Sequence, residues 1–133
     1  GELWLASRVT DLGGGQWWYE YALFNLNCDR GVRAFAVPMT PGTVVFGQDH
    51  HLPRYHSGEP YSQEPWRQGK KAGHMYWSSA PFHRDPMANA LRWGTVATFR
   101  FKSDQPPATT TAQIELFKPG AVTHLDVATV GPQ

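Results

Sequence analysis

The stretch QWWYEYALFNLN, Gln16–Asn27, is the longest run of strand-forming residues in the chain that no proline or glycine interrupts. Its side chains alternate between two faces of an extended strand. One face carries Trp17, Tyr19, Tyr21, Leu23 and Asn25, and the other carries Trp18, Glu20, Ala22, Phe24 and Leu26. Because aromatic and apolar residues dominate both sets, the pattern predicts a central strand that is covered on both faces.

Similar strand patterns lie on either side of this stretch. Glu2–Asp11 alternates as a first, half-exposed strand, and Gly13-Gly14-Gly15 supplies a tight turn, so the two strands are expected to form an antiparallel hairpin. Gly94–Ser103 is the clearest amphipathic strand, with a phenylalanine pair on one face and a basic pair on the other. The phenylalanines are expected to face the core.

The remaining segments complete an all-β pattern. Further strands are predicted at Val32–Val37, Thr43–Gln48, His74–Ser79, Thr109–Lys118 and Ala121–Val130, and one helical turn at Met87–Trp93. About eight strands with frequent turn signals predict a single antiparallel β-sandwich, immunoglobulin-like or jelly-roll, that spans residues 1–133 as one domain. The asparagines Asn25 and Asn27 are expected to serve the turn that follows their strand.

One long segment, Asp49–Ala72, breaks the strand pattern. It contains three prolines and two glycines and has no sustained period, although short strands could lie within it. Compact domains rarely hold so long an irregular stretch unless it has a function or packs internally. This segment is therefore the place where a functional site is expected.

Composition excludes several partners. The chain has 12 Lys and Arg against 11 Asp and Glu, and this balance argues against nucleic acid and against an electrostatic membrane anchor. No apolar run approaches the ~20 residues of a membrane span.

Cys28 is the single cysteine, so no intrachain disulfide can form. The opening GELWLAS, without a methionine, is interpreted as the start of a trimmed mature form.

Three segments together resemble a loose group of uncharacterised exported bacterial β-sandwich proteins. They are WWYEYALFNLNCDRGVRAFAVPM, then YHSGEPY followed by Trp66, and finally ANALRWGTVATFRFKSD with IELFKPG. The group combines an aromatic strand ending in Asn, a His-Ser-Gly loop and an Ala-Leu-Arg-Trp-Gly turn before a Phe-rich strand. The resemblance covers most of the chain. It implies a β-sandwich and a secreted or extracytoplasmic location, and it carries no activity.

Histidines give the first candidate site. His50, His51 and His56 lie within seven residues of one another, and neutral imidazoles are good ligands for Zn or Cu. Their spacing matches no established zinc pattern, and surface or turn histidines are the alternative. No cofactor is expected unless these three side chains converge.

Aromatic residues give the second candidate site. Tyr55, Tyr61, Trp66, Tyr76 and Trp77 lie in or beside the irregular region, where flat aromatic faces could stack on sugar rings. Packing between the sheets is the alternative, and it is the role expected of Trp17, Trp18 and Trp93. Arg92 is expected to stack on an aromatic ring or to bond loop carbonyls.

The sequence contains no motif that supports an enzymatic function. Ser57 has no nucleophile elbow, and no carboxylate pair has a supporting motif, so no catalytic residue is assigned. The sequence favours a non-catalytic module for surface assembly, adhesion or protein interaction, with oligomerisation as one form of that role. The alternatives are a carbohydrate-binding module that uses the loop aromatics and a histidine-based Zn or Cu protein or metalloenzyme. The partner is expected to be a protein or a polysaccharide at the cell surface.

Overall fold

The computed structural model describes all 133 residues and consists of nine β-strands joined by turns and loops, without a helix. The strands are β1 (Leu3–Gly13), β2 (Gln16–Asn25), β3 (Val32–Pro38), β4 (Val45–His51), β5 (Arg67–Lys71), β6 (His74–Ser78), β7 (Thr95–Ser103), β8 (Pro107–Leu116) and β9 (His124–Pro132). They form two antiparallel sheets, β1-β2-β7-β4 and β5-β6-β3-β8-β9, which enclose the core. The predicted all-β antiparallel sandwich is confirmed. No helix that could cross a membrane is present.

The order of the strands is that of an immunoglobulin-like sandwich. In the constant-type immunoglobulin fold the strands A-B-E-D form one sheet and C-F-G the other. Strands β1-β2-β7-β4 and β3-β8-β9 reproduce this order, and the β5-β6 hairpin extends the second sheet beyond β3. Of the two topologies that the sequence left open, the structure has the immunoglobulin-like one.

Strands β1 and β2 form the predicted hairpin. Their register runs without a shift from Leu3 opposite Asn25 to Asp11 opposite Trp17. Gly14 and Gly15 make the two-residue connection with φ angles of 62° and 76°, a conformation that glycine adopts without a Cβ clash. Strand β1 begins at one end of the sandwich, where Leu3 lies opposite Asn25. Strand β9 ends at the opposite end, where Pro132 lies beside Pro107.

The β2 strand is covered on one face only. Tyr19, Tyr21 and Leu23 are buried in the core, while Trp18 and Phe24 on the other face remain half-buried beside neighbouring strands of their own sheet. The expectation that both faces are covered is therefore wrong. Cross-strand packing on an outer sheet face explains why large apolar residues occur there.

An aromatic cluster fills the space between the sheets. Phe99 on β7 lies at its centre, with ring centroids 4.9 Å from Phe35 and 5.0 Å from Trp77. Tyr19 stacks on Phe101 at 5.0 Å. The prediction that the phenylalanines of β7 face the core is confirmed. Such pairs each add about 0.5–1.5 kcal/mol beyond the burial of their surface.

Two buried tyrosines of β2 reach across the core. The Tyr19 hydroxyl donates to the carbonyl oxygen of Gln105 at 2.7 Å, and the Tyr21 hydroxyl donates to that of Val130 at 2.7 Å. Burial raises the pKa of Tyr19 to about 12. It also raises the pKa of Tyr21. Both phenols therefore remain neutral donors at physiological pH.

Three local expectations differ from the structure. The irregular segment is shorter than predicted, because β4 continues to His51 and Arg67–Lys71 forms β5. Met87–Trp93 is irregular and contains no helical turn, and Leu91 within it pairs with Val32 as an isolated bridge. Trp93 does not fill the core: its side chain is 63% exposed in the turn before β7.

The turn after β2 is built as predicted. The Asn25 side chain accepts a hydrogen bond from the Cys28 N–H at 2.7 Å and donates to the carbonyl oxygens of Cys28 and Leu91, each at 3.0 Å. Asn27 accepts a hydrogen bond from the Glu2 N–H at 2.7 Å. Both asparagines therefore bond the backbone around this turn.

Candidate functional site

Two of the five aromatic residues proposed to bind sugar are core residues. Trp66 is 3% exposed and Trp77 is fully buried. Trp77 lies on the inner face of β6 against Phe35, and the Trp66 indole N–H donates to the carbonyl oxygen of Asn89 at 2.5 Å. Neither ring offers a face to solvent, so neither can stack on a sugar.

The other three aromatic residues are half-buried and pack locally. The Tyr55 and Tyr61 rings lie 5.6 Å apart with 58° between their planes, so they do not form a flat platform. The Cζ atom of Arg92 lies 3.4 Å from the centroid of the Tyr61 ring, and its guanidinium also donates a hydrogen bond to the Ala88 carbonyl oxygen. The expectation that Arg92 stacks on an aromatic ring or bonds loop carbonyls is therefore confirmed. Tyr76 covers Gly69 on the neighbouring strand. Tyr55 and Tyr61 therefore pack within the irregular segment, whereas Tyr76 packs between β5 and β6.

The three candidate metal ligands do not converge. His50 and His51 are consecutive residues of β4, so their side chains point to opposite faces of the strand, and His56 lies in the exposed loop beyond. The His50 Nδ1 atom instead pairs with the Gln68 side-chain oxygen at 3.0 Å. The chain contains no group of three or more His, Cys, Asp or Glu side chains placed to hold a metal ion. The proposed histidine site is therefore not formed.

The irregular segment instead forms one wall of a polar cleft of about 630 Å³. Arginines from three different elements line it, namely Arg33, Arg67 and Arg84. Arg33 is held in place, because its guanidinium donates to Glu115 at 2.8 Å and to the carbonyl oxygen of Ser79 at 2.9 Å. The cleft also contains Glu64 and Asp85, so it presents charges of both signs.

The two edges on one side of the sandwich, β4 and β5, are protected. Strand β4 has a register shift between Phe46 and Asp49, and β5 is five residues long with three cationic side chains. Hydrogen bonds from Gln48 to Gly69 and from Lys70 to Val45 tie the two edges together. Short strands, bulges and lysines are the features by which proteins prevent an edge from pairing with another chain.

The opposite side, which we name the open side, consists of the edge strands β1 and β9. Strand β1 has eleven residues and β9 has nine, and each pairs with a neighbour on one side only. Neither contains a lysine, and β1 has no proline. None of the protein's hydrogen bonds joins β1 to β9. The backbone groups along both free edges are therefore available to another strand.

An apolar groove of about 490 Å³ runs between these two edges. Its apolar lining comes from β1, β8, β9 and two loops, and includes Leu3, Leu5, Ile114, Leu116, Val122, Leu125 and Val127. Val122 is 53% exposed, and Leu125 is also exposed. Exposed apolar side chains beside unpaired strand edges are typical of a surface that another chain covers.

The sequence carried a partial signal for the open side. The alternation of Leu3, Leu5 and Val9 predicted a half-exposed strand, but the pattern did not show that β1 lies at an edge or that β9 lies next to it. Both facts depend on the order of strands in the sheets, which is a long-range property. The sequence shows that β1 contains neither lysine nor proline. This absence indicates an unprotected edge only once β1 is known to lie at the edge of its sheet.

Comparisons with protein-family models and with curated proteins found no match to the chain.

Proposed function

We propose that the protein is a non-catalytic interaction module that assembles through the open side, where β1 of a second copy pairs with β1. The observation that carries this proposal is the difference between the two sides of the sandwich. One pair of edges is short, bulged or lysine-rich. The other pair is longer, contains no lysine and borders an apolar groove, and its irregular positions, the register shift after Asp11 and Pro132, lie at the strand ends. Proteins normally protect an edge unless it has a partner.

The sequence of β1 is compatible with a two-fold symmetric pairing. An antiparallel pair centred on Ser7 places Leu5 opposite Val9 of the second copy and Ala6 opposite Arg8 of the second copy. No two like charges are then directly opposite, and like charges in that position would be destabilising. The register uses the nine residues from Leu3 to Asp11, which are free of irregularity in the hairpin with β2.

Such a pairing would also cover the apolar groove. The added strand would extend the sheet of β1 over the exposed side chains of Leu125 and Val122. Burial of apolar surface stabilises by about 25 cal/mol per Å², and it would add to the backbone hydrogen bonds of the new ladder. The extracytoplasmic location that the sequence resemblance implies belongs to this proposal, since assembly modules of surface structures work there.

The experiment that tests the proposal compares two lysine variants in solution. Ser7 is exposed at the free edge, and its side chain shares the inner face of β1 with Leu5 and Val9. Ser7→Lys places a charge where the second copy would pair, at little expected loss of stability because the site is exposed. Thr111→Lys, at an exposed position of the interior strand β8, is the matched control.

We expect sedimentation velocity from about 1 μM to about 1 mM to show a dimer for the natural chain and for Thr111→Lys, with dimerisation weakened at least tenfold by Ser7→Lys. A natural chain that stays monomeric over this range would contradict the proposal. So would a dimer that Ser7→Lys leaves intact.

A further inference from the structure

Strands β1 and β9 run in the same direction along the open side. Strand β1 starts with Leu3 opposite Asn25, at the end of the sandwich where β2 ends, and runs towards the other end. Strand β9 also runs to that other end, where Pro132 lies beside Pro107. The two free edges therefore lie next to each other across the apolar groove, one in each sheet.

Ser7 of β1 and Thr129 of β9 lie at about the same level of the sandwich. Tyr21 is opposite Ser7 in the β1-β2 ladder, and its hydroxyl group crosses the core to the carbonyl oxygen of Val130. Thr129 is the neighbour of Val130 in β9. A line that passes through β1 at Ser7 and stands perpendicular to the sheets therefore meets β9 near Thr129.

The proposed pairing of two β1 strands has its two-fold axis along this line. The axis stands perpendicular to the sheet, because the two strands are antiparallel neighbours within one sheet. The same rotation acts on the whole molecule, and the two sheets of a sandwich are aligned within about 30°. It therefore also places β9 of the second copy antiparallel to β9 and next to it.

We propose that assembly through the open side forms two ladders, one between the β1 strands and one between the β9 strands. Both sheets then continue from one copy into the other, and the apolar groove is enclosed between the two ladders. This inference rests on the proposed pairing of β1, and it assigns the partner of β9.

The sequence of β9 is compatible with the second ladder. Its central residues Val127–Gly131 carry no charged side chain. Thr129 on the axis is opposite its own copy, and threonine pairs across strands are favourable. Asp126 is opposite Pro132 of the second copy at each end of the ladder, so no two like charges face each other. The proline, which cannot donate to a ladder, thus lies outside the centre.

The size of the interface favours two ladders over one. The nine residues from Leu3 to Asp11 span about 31 Å, and two sheets about 10 Å apart present an edge about 20 Å deep. Such a face amounts to about 600 Å² per copy and about 1,200 Å² in total, the lower end of the range for specific interfaces. A β1 ladder alone would bury about half of this area, as little as a crystal contact does.

Two ladders also end the assembly at a dimer. A two-fold symmetric interface uses the same surface on both copies and is closed. Both edges of the open side are then paired, and the edges that remain free, β4 and β5, are the bulged and lysine-rich ones. Such edges resist pairing with a further chain.

Single cysteines on the axis test the two ladders separately. In a Cys28→Ser background, which removes the natural thiol, Ser7→Cys and Thr129→Cys each place two thiols opposite one another. Residues opposite each other in an antiparallel pair have Cα atoms about 4.5–5.5 Å apart, a separation that a disulfide spans. Leu125→Cys is the matched control on the same edge, because this exposed position lies about 27 Å from its own copy in the ladder.

The full-length variants are oxidised with copper phenanthroline at about 100 μM protein, and non-reducing gels measure the covalent dimer. We expect Ser7→Cys and Thr129→Cys to crosslink at least about tenfold faster than Leu125→Cys, without species larger than a dimer. Adding Ser7→Lys should slow the crosslink at Thr129 by about tenfold or more, since both ladders belong to one interface. Ala128→Cys and Val130→Cys detect an axis that is one residue away.

Fast crosslinking of Ser7→Cys with slow crosslinking at all three positions of β9 would overturn the second ladder and leave the proposed function standing. Slow crosslinking of Ser7→Cys would overturn the pairing of β1, and the two-ladder assembly with it. Species larger than a dimer, or a Leu125→Cys variant that crosslinks as fast as Thr129→Cys, would also contradict the two-ladder dimer.

Discussion

The hydroxyl group of Tyr21 on β2 donates a 2.7 Å hydrogen bond to the carbonyl oxygen of Val130 on β9, and so joins the two sheets through the core. Tyr21 is almost fully buried, whereas β9 is an edge strand that pairs with β8 alone. This bond therefore anchors the last strand of the sandwich to the interior of the opposite sheet.

Tyr21→Phe should lower the free energy of unfolding by about 1–2 kcal/mol, because the Val130 carbonyl loses its donor in a partly buried place. Urea unfolding followed by tryptophan fluorescence measures this change. Tyr76→Phe is a suitable comparison, since the Tyr76 hydroxyl makes no hydrogen bond in the protein, and it should change stability by less than about 0.5 kcal/mol. Equal losses in the two variants would mean that the interaction with Val130 contributes nothing.

Stability should fall at alkaline pH. Burial raises the pKa of Tyr19 to about 12 and also raises that of Tyr21, whereas phenols in the unfolded chain ionise near about 10. Below about pH 10 both phenols are protonated in the folded and in the unfolded chain, so their contribution to the free energy of unfolding is at its full value. It is lost progressively as the pH rises from about 10 towards the folded value of about 12, because the unfolded chain releases its protons first.

Urea unfolding at about pH 8 and about pH 11 measures this dependence. The double variant with Tyr19→Phe and Tyr21→Phe should be less stable than the natural chain at the lower pH but should lose less stability between the two. If the double variant loses as much free energy of unfolding between the two pH values as the natural chain does, other groups cause the alkaline effect.

Asn25→Ala should be far more damaging than Asn27→Ala, although the two residues are two positions apart. The buried Asn25 side chain makes three hydrogen bonds to backbone groups of Cys28 and Leu91, and their loss should lower the free energy of unfolding by about 3 kcal/mol. Asn27 is exposed and makes a single bond to Glu2, so its replacement should remove less than about 1 kcal/mol. Thermal unfolding of the two variants gives the comparison, and similar melting temperatures would contradict it.

Local patterns predicted the elements of this fold well. The alternation of Phe99 and Phe101 with Arg100 and Lys102 gave the orientation of β7, and the three consecutive glycines gave the first hairpin. The error in β2 has a physical cause. Trp18 and Phe24 are apolar, yet they are half-buried by neighbours in their own sheet, such as Lys102 over Trp18 and Trp4 beside Phe24, and not by a further layer. Periodicity alone does not distinguish these two kinds of burial.

The candidate surfaces were less predictable. The proposed metal and sugar sites assumed that neighbours in sequence converge in space, but His50 and His51 diverge on their strand and Trp66 enters the core. The open side combines β1 with β9, which lie near opposite ends of the sequence and meet only in the folded sandwich. Such a site depends on strand order and register, which are set by packing over the whole domain.

The opposite placement of the start of β1 and the end of β9 has a mechanical consequence. Force applied between Leu3 and Pro132 would run along the strands, so the β1-β2 and β8-β9 ladders would be loaded in shear. Because antiparallel hydrogen bonds lie perpendicular to the strands, many of them would have to break together and not one after another. The sandwich should therefore resist stretching and unfold slowly under tension.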